Sequence, residues 1–217
     1  MMLEKMDSFF DSRLDTYESH MLNNIESAEE FYAFTADCLP ELPGAKVLDL
    51  GCGTGLEMDA FFLRNPTAQI TGIDLAPGML AAFREKHPNK KLNLICGNYF
   101  DTDLGKRYFE AAVSVESLHH FTVEEKIPLY TKIREALTDN GYFILTDYFA
   151  LSEEEERQCR ETYLQLKAEQ GLDEKIFYHY DTPLTVEHEC QALERAGFTA
   201  VKSLNCWGAT YTIRADK

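Results

Sequence analysis

The chain has 217 residues, enough for one large domain that buries its own core without disulfides or a structural metal. Its apolar share of 45% and charged share of 27% describe a globular protein and exclude a disordered chain. Lys and Arg total 21 against 37 Asp and Glu, a formal net charge of −16. That field repels phosphate backbones and anionic lipid, so neither nucleic acid nor a membrane is an expected partner. Close cationic clusters are confined to Lys86–Lys91, interrupted by His87, Pro88 and Asn89, and to the pair Lys106-Arg107. No apolar run approaches the ~18 residues of a membrane span, and the opening MMLEKMDSFFDSRLD carries acids where a secretory leader needs an apolar stretch. The six cysteines (38, 52, 96, 159, 190, 206) stand singly, as free thiols in a reducing cytoplasm would, so a cytoplasmic location is expected.

In chain order, the first ~25 residues read as an amphipathic lead-in helix carrying Phe9, Phe10, Leu14 and Tyr17. Capping-box signals, a hydroxyl followed three residues later by Glu, occur at Ser27–Glu30, Thr122–Glu125 and Ser152–Glu155. Short runs of strand formers are predicted at 45–50, 69–74, 92–96, 110–115 and 142–146, and two more at 199–205 and 209–214. The alternation with helical stretches predicts an α/β fold with a mostly parallel sheet in a single domain, 1–217. Asn140-Gly141 and Gly197 stand where helix C-caps would release the chain into a strand. Residues 149–184 form far too long a connection for an α/β unit, so they predict an insertion with its own helix near 153–170. Cys206-Trp207-Gly208 joins the last two strands so closely that only a hairpin fits.

The strongest local signal is Val47-Leu48-Asp49-Leu50-Gly51-Cys52-Gly53-Thr54-Gly55, a buried strand ending in three alternating glycines before a helix. Glycine permits positive φ and lets backbone lie against a ligand, which also meets the partly positive helix N-terminus. A dinucleotide fingerprint needs its third glycine at position 56, where Leu56 stands. Asp49 suits a ligand with an ammonium group and is ill placed beside a pyrophosphate.

These residues resemble the first motif of the class I S-adenosylmethionine-dependent methyltransferases. Ile70-Thr71-Gly72-Ile73-Asp74-Leu75, followed by Ala76-Pro77-Gly78-Met79-Leu80, is similar to the second. Ile95-Cys96-Gly97-Asn98-Tyr99 resembles the adenine-reading segment, with Asn98 where the family commonly has Asp. Phe109–Phe121 resembles the fourth strand and the loop beside the methyl donor, and Leu137–Ile144 the turn into strand five. The resemblance covers roughly 27–148 and resumes from Thr185. It implies a doubly wound seven-stranded sheet, order 3-2-1-4-5-7-6 with the last strand antiparallel, and S-adenosylmethionine as cofactor. The implied cofactor contacts are Asp49, Gly51, Cys52, Gly53 and Gly55 on the methionine side, Asp74 on the ribose, and Leu75 and Asn98 beside the adenine. Met79, Tyr99, Val115 and, from the lead-in helix, Tyr17 complete the set.

Methyl transfer from a sulfonium gains most from alignment and exclusion of water, and needs a base only when the acceptor must shed a proton. His119 and His120, after the fourth strand, and His179, in the aromatic run Phe177–Leu184, are the candidate catalytic groups; a pocket-shaping role is the alternative for each. Glu116 and Asp181 are candidates to meet donor or acceptor. The histidines show no metal-ligand spacing, so no metal is expected. The reading is methyl transfer to a small-molecule acceptor, with residues 1–25 as a cap helix and 149–184 as a helical lid. Partners are limited to that acceptor and, at most, a second copy in a homodimer. The rivals are a non-catalytic S-adenosylmethionine-binding regulator and a nucleotide-dependent oxidoreductase.

Overall fold

The computed structural model describes residues 1–173 and 175–217. Seven strands form one sheet: β1 (Lys46–Leu50), β2 (Gln69–Asp74), β3 (Lys91–Cys96), β4 (Phe109–Val115), β5 (Leu137–Tyr148), β6 (Thr199–Trp207) and β7 (Thr210–Asp216). Their order is β3-β2-β1-β4-β5-β7-β6, with β7 antiparallel to both neighbours and the other pairings parallel. The expected fold class is therefore the observed one.

Successive strand side chains point to opposite faces, and here both faces are apolar. Leu48, Leu50, Ala112, Phe143 and Leu145 belong to one core, packed with helices α6 (Val123–Ala136) and α8 (Val186–Arg195). Val47, Ile70, Ala111, Val113 and Ile144 belong to the other, packed with α3 (Ala28–Asp37), α4 (Leu56–Arg64) and α5 (Pro77–Lys86). Across the first core runs a buried ion pair, Lys126 Nζ to Glu189 Oε2 at 2.5 Å, with the Tyr130 hydroxyl donating to the other carboxylate oxygen.

Several local signals resolve differently from one another. Thr122 makes the complete capping box with Glu125 at the start of α6. Thr122→Ala should cost about 1 kcal/mol, read as a lower urea midpoint at unchanged slope. Ser152 accepts from the Glu155 amide and starts α7 (Glu153–Gln170), the predicted insertion helix. Ser27, by contrast, sits at φ 57 and makes no side-chain cap. Asn140-Gly141 is not a C-cap: α6 ends at Ala136 and β5 begins at once, so both residues lie inside the strand. Gly197 does follow its helix with φ 94, its amide donating to the Glu194 carbonyl.

The lead-in helix is broken in two, α1 (Met6–Asp11) and α2 (Leu14–Asn24), with a turn at Ser12-Arg13. Its direction changes because it is tied at several points. The Met6 amide donates to the Phe177 carbonyl, and the His179 amide to the Glu4 carbonyl. Asp11 Oδ1 accepts from the Gly78 amide at the start of α5. The N-terminal segment thus bridges the 171–184 loop and the helix that follows β2.

Candidate active site

The carboxyl ends of β1, β2, β4 and β5 converge on one side of the molecule, where a doubly wound sheet holds its ligands. Gly51, Gly53 and Gly55 all have positive φ (70, 47 and 72). A Cβ on Gly51 would lie 2.0 Å from Ser117 Oγ, and one on Gly55 2.5 Å from the Phe83 ring, so side chains at these two positions are excluded by space as well as by backbone. The loop is held against β2 by its acid: Asp74 Oδ2 accepts from the Gly53 amide at 2.8 Å, and Oδ1 from the Ala76 amide at 2.8 Å. Burial raises the Asp74 carboxyl above its ordinary range, with the two amides opposing.

Behind the loop lies an unusual pair. Asp49 is 1% exposed and Glu57, from α4, 4%. Both carboxylate oxygens of Asp49, Glu57 Oε1 and Thr54 Oγ1 have no hydrogen-bond partner among the described residues. Burial pushes both carboxyls up, and the charge of Glu57 pushes Asp49 further. Asp49 was legible in the sequence; Glu57 was not, because nothing in its helical spacing separates it from a solvated first-turn acid.

Two cavities meet in front of the loop. The inner one, about 50 Å³, is lined by Gly51, Gly53, Asp74, Leu75 and Met79 below and by Met6, Phe10 and Tyr17 of the N-terminal segment above. The outer one, about 870 Å³, is lined by Phe9, Arg13, His119, Tyr148, His179 and Asp181, among others. Phe10, Tyr17, Glu116 and His120 belong to both. Tyr17 lies directly over Gly53, its hydroxyl 3.6 Å from where a Cβ would stand.

The structure distributes the remaining predicted residues. The Cys52 side chain packs under the sheet against Gly72, so only its backbone belongs to the loop. Tyr99 is buried, its hydroxyl 3.3 Å from Ser117 Oγ, and Val115 is buried at the end of β4. Asn98 stands apart: its amide donates to Asp101 and its carbonyl accepts from the Phe100 amide, so both polar ends serve their own loop.

The three histidines do come together. His119 and His120 lie in a short 3-10 turn after β4, 8% and 6% exposed. Their ring centroids are 4.0 Å apart, and that of His179 is 4.9 Å from His120. His119 Nδ1 lies 2.5 Å from Asp147 Oδ1. That buried carboxylate, which the sequence reading missed, also accepts from the Leu118 and Tyr148 amides at the end of β5. A Thr-Asp pair ending the strand was the only signal for it. Burial works against a charge on His119, but Asp147 and Asp181 outweigh it and raise its pKa well above the usual value. Burial and the neighbouring His119 lower His120, and burial takes His179 down to about 4. His179 is stacked on Phe9, centroids 3.5 Å apart. Asp181, from the insertion, is held below the carboxylate range because its hydrogen bonds to His119 and His120 outweigh burial. Glu116 has φ 48, a strained value for a side-chain-bearing residue, and such strain concentrates at functional sites. Burial and then Asp147 push its carboxyl up to about 7, with His119 opposing.

The residues present fit S-adenosylmethionine. Unpaired buried carboxylate oxygens behind the loop match an ammonium, the Asp74 carboxylate matches vicinal hydroxyls, and Gly51 and Gly53 line the inner cavity without side chains.

A family model described as a methyltransferase domain matches residues 47–141. The chain is 31% identical over 114 residues to 24-methylenesterol C-methyltransferase 3 of Arabidopsis thaliana, covering 50% of this chain and 30% of that one. Among solved structures, a putative O-methyltransferase from Nostoc punctiforme has a TM-score of 0.72 at 21% identity, covering all of this chain and 63% of that one. An S-adenosylmethionine-dependent methyltransferase from Mesorhizobium loti has a TM-score of 0.61 at 20% identity, covering 85% and 96%. The chain spans about a third of the length of the first curated relatives it matches. With the glycine loop, the Asp74 carboxylate and the strand order in place, residues 47–141 match a methyltransferase domain and the chain has the fold of S-adenosylmethionine-dependent methyltransferases.

Proposed function

We propose that the protein transfers a methyl group from S-adenosylmethionine to a small-molecule acceptor held in the outer cavity. The observation that carries this reading is the meeting of the two cavities at Phe10, Tyr17, Glu116 and His120. A donor seated on Asp74 and the glycine loop faces that junction, and an acceptor entering from the larger cavity reaches it from the other side. The sulfonium supplies an electrophilic methyl group. The chain supplies alignment and dryness: Phe10 and Tyr17 cover the donor, and Phe9, Tyr148 and stacked His179 wall the acceptor. His119, fixed by Asp147, and His120 present their rings to the acceptor's polar end, while His179 belongs to the wall.

Residues 1–25 and 149–184 act together as the lid, because their backbones are bonded to each other at Met6, Phe177, Glu4 and His179. Ligand pockets for molecules of this size run to roughly 300–1,000 Å³, so the 50 Å³ inner cavity must widen to admit the donor. Opening requires Phe10 and Tyr17 to move.

The small-molecule assignment is supported by the size of the outer cavity and by the acid surplus, which disfavours polyanionic acceptors. Among the described residues no helix is long and apolar enough to cross a membrane. The test is incubation of the protein and S-adenosylmethionine with pooled hydroxylated, amine and carboxylate metabolites. The expected result is S-adenosylhomocysteine formed with one methylated product. Donor binding with no product from any pool would favour the regulatory reading instead.

A further inference from the structure

The wall of the outer cavity carries a second constellation. One ligand atom from each of His119, His120 and Asp181 lies within 4.8 Å of the others. Asp181 Oδ1 is 3.5 Å from His119 Nε2 and 3.2 Å from His120 Nδ1, which also lies 3.1 Å from the Tyr180 carbonyl and gives up that contact when it ligates. A divalent ion with bonds of about 2.0–2.1 Å in tetrahedral geometry sets its ligands about 3.4 Å apart. Sequence spacing hid the set, since the third member arrives on the insertion, whose Thr182 amide donates to the His119 carbonyl and ties that loop to the turn.

The surroundings match a metal site in two further respects. His119 is oriented from behind: its Nδ1 is held by Asp147, whose carboxylate is itself fixed by two backbone amides, and Nε2 is thereby turned toward Asp181. A carboxylate behind a ligating imidazole is the usual outer-shell arrangement of histidine metal sites. Three carboxylates face the His119 ring, so a divalent ion can replace the proton that it holds. Glu116, Asp147 and Asp181 surround the His119 ring within 4.0 Å, and among the described residues no lysine or arginine pairs with them. Asp147 is held by the Leu118 and Tyr148 amides and by His119, while Glu116 Oε1 accepts from Thr210 and its Oε2 faces His119 at 4.0 Å, a second carboxylate beside the ion.

We propose that His119, His120 and Asp181 bind one divalent first-row transition-metal ion whose open positions face the outer cavity and take an oxygen donor of the acceptor, with Asp147 as a positioning residue. Two imidazoles and one carboxylate suit such ions better than magnesium or calcium. The Asp181 side chain is 51% exposed, so an entry path exists. The inference rests on the proposed acceptor role of this cavity only for the choice of ligand, an acceptor hydroxyl whose proton the ion makes easier to lose. In that reaction the oxygen–carbon bond forms as the carbon–sulfur bond breaks, its electron pair passes to sulfur, and the hydroxyl proton leaves to solvent.

The test titrates chelator-treated full-length protein with Zn²⁺, Mn²⁺ and Co²⁺ by calorimetry, with cobalt visible absorption as a second readout. One ion per chain is expected, with affinity falling at least ~100-fold in His119→Ala and Asp181→Ala. Asp147→Asn should lose about 10–100-fold, and His179→Ala should leave metal affinity unchanged. S-adenosylhomocysteine binding serves as the fold control for His119→Ala and Asp181→Ala. Absence of stoichiometric binding, or binding that survives both substitutions, overturns the site. A bound metal without methyl transfer would leave the site standing and remove the proposed reaction.

Discussion

Asp74→Ala should weaken binding of S-adenosylhomocysteine at least about 100-fold by calorimetry, equivalent to about 2.7 kcal/mol or more. Two losses add. A carboxylate that accepts from both ribose hydroxyls makes charge-assisted bonds worth about 1.5–3 kcal/mol each. The same carboxylate pins the glycine loop through the Gly53 amide, so its removal also loosens the floor. Asp74→Asn keeps one acceptor oxygen and should fall between wild type and alanine. Affinity within twofold of wild type in a folded Asp74→Ala variant would remove this acid from the donor site.

Asp49→Asn should move stability and binding in opposite directions. Asp49 and Glu57 are buried together with unpartnered oxygens. Both pKa values are raised by folding, so the folded state holds a proton that the unfolded chain releases above about pH 4. Stability from this pair is therefore greatest below the ordinary carboxylate range and is lost as pH rises toward the elevated one. A neutral amide removes that loss, and the variant's Tm at pH 7.5 should rise by a few degrees, about 1–2 kcal/mol. Donor binding should fall about 30-fold, since the ammonium loses its counter-charge. Wild-type binding should also release protons, seen as a dependence of the calorimetric heat on buffer ionisation enthalpy. A Tm decrease with unchanged affinity would mean that the pair is structural.

The two halves of the active site differ in how far they could be read in advance. The donor half follows one contiguous run, Asp49 to Gly55, and one strand-end acid, Asp74, where local backbone needs dictate residue type. Glycine at φ 70 beside Ser117 leaves little choice. The proposed acceptor half is assembled from a turn at 118–120, the end of β5 and a loop near 181, and only the sheet's parallel register between β4 and β5 brings Asp147 beside His119. At Asn98 the motif position also serves its own turn, the side chain donating to Asp101 and accepting from the Phe100 amide. The lead-in segment also kept its apolar face but not its continuity, because bonds to the 171–184 loop and to α5 set two directions for it.

Strand alternation, the glycine loop and the terminal hairpin are short-range properties, and the sequence by itself determined the fold class and, through its motif resemblance, the cofactor. The Asp49–Glu57 pair is closed across the turn between β1 and α4, and the His119–Asp147 contact and the His119–His120–Asp181 cluster across tens of residues, each by packing. Only the tertiary structure decided them, because charge, burial and ligand distance exist between side chains and not along the chain.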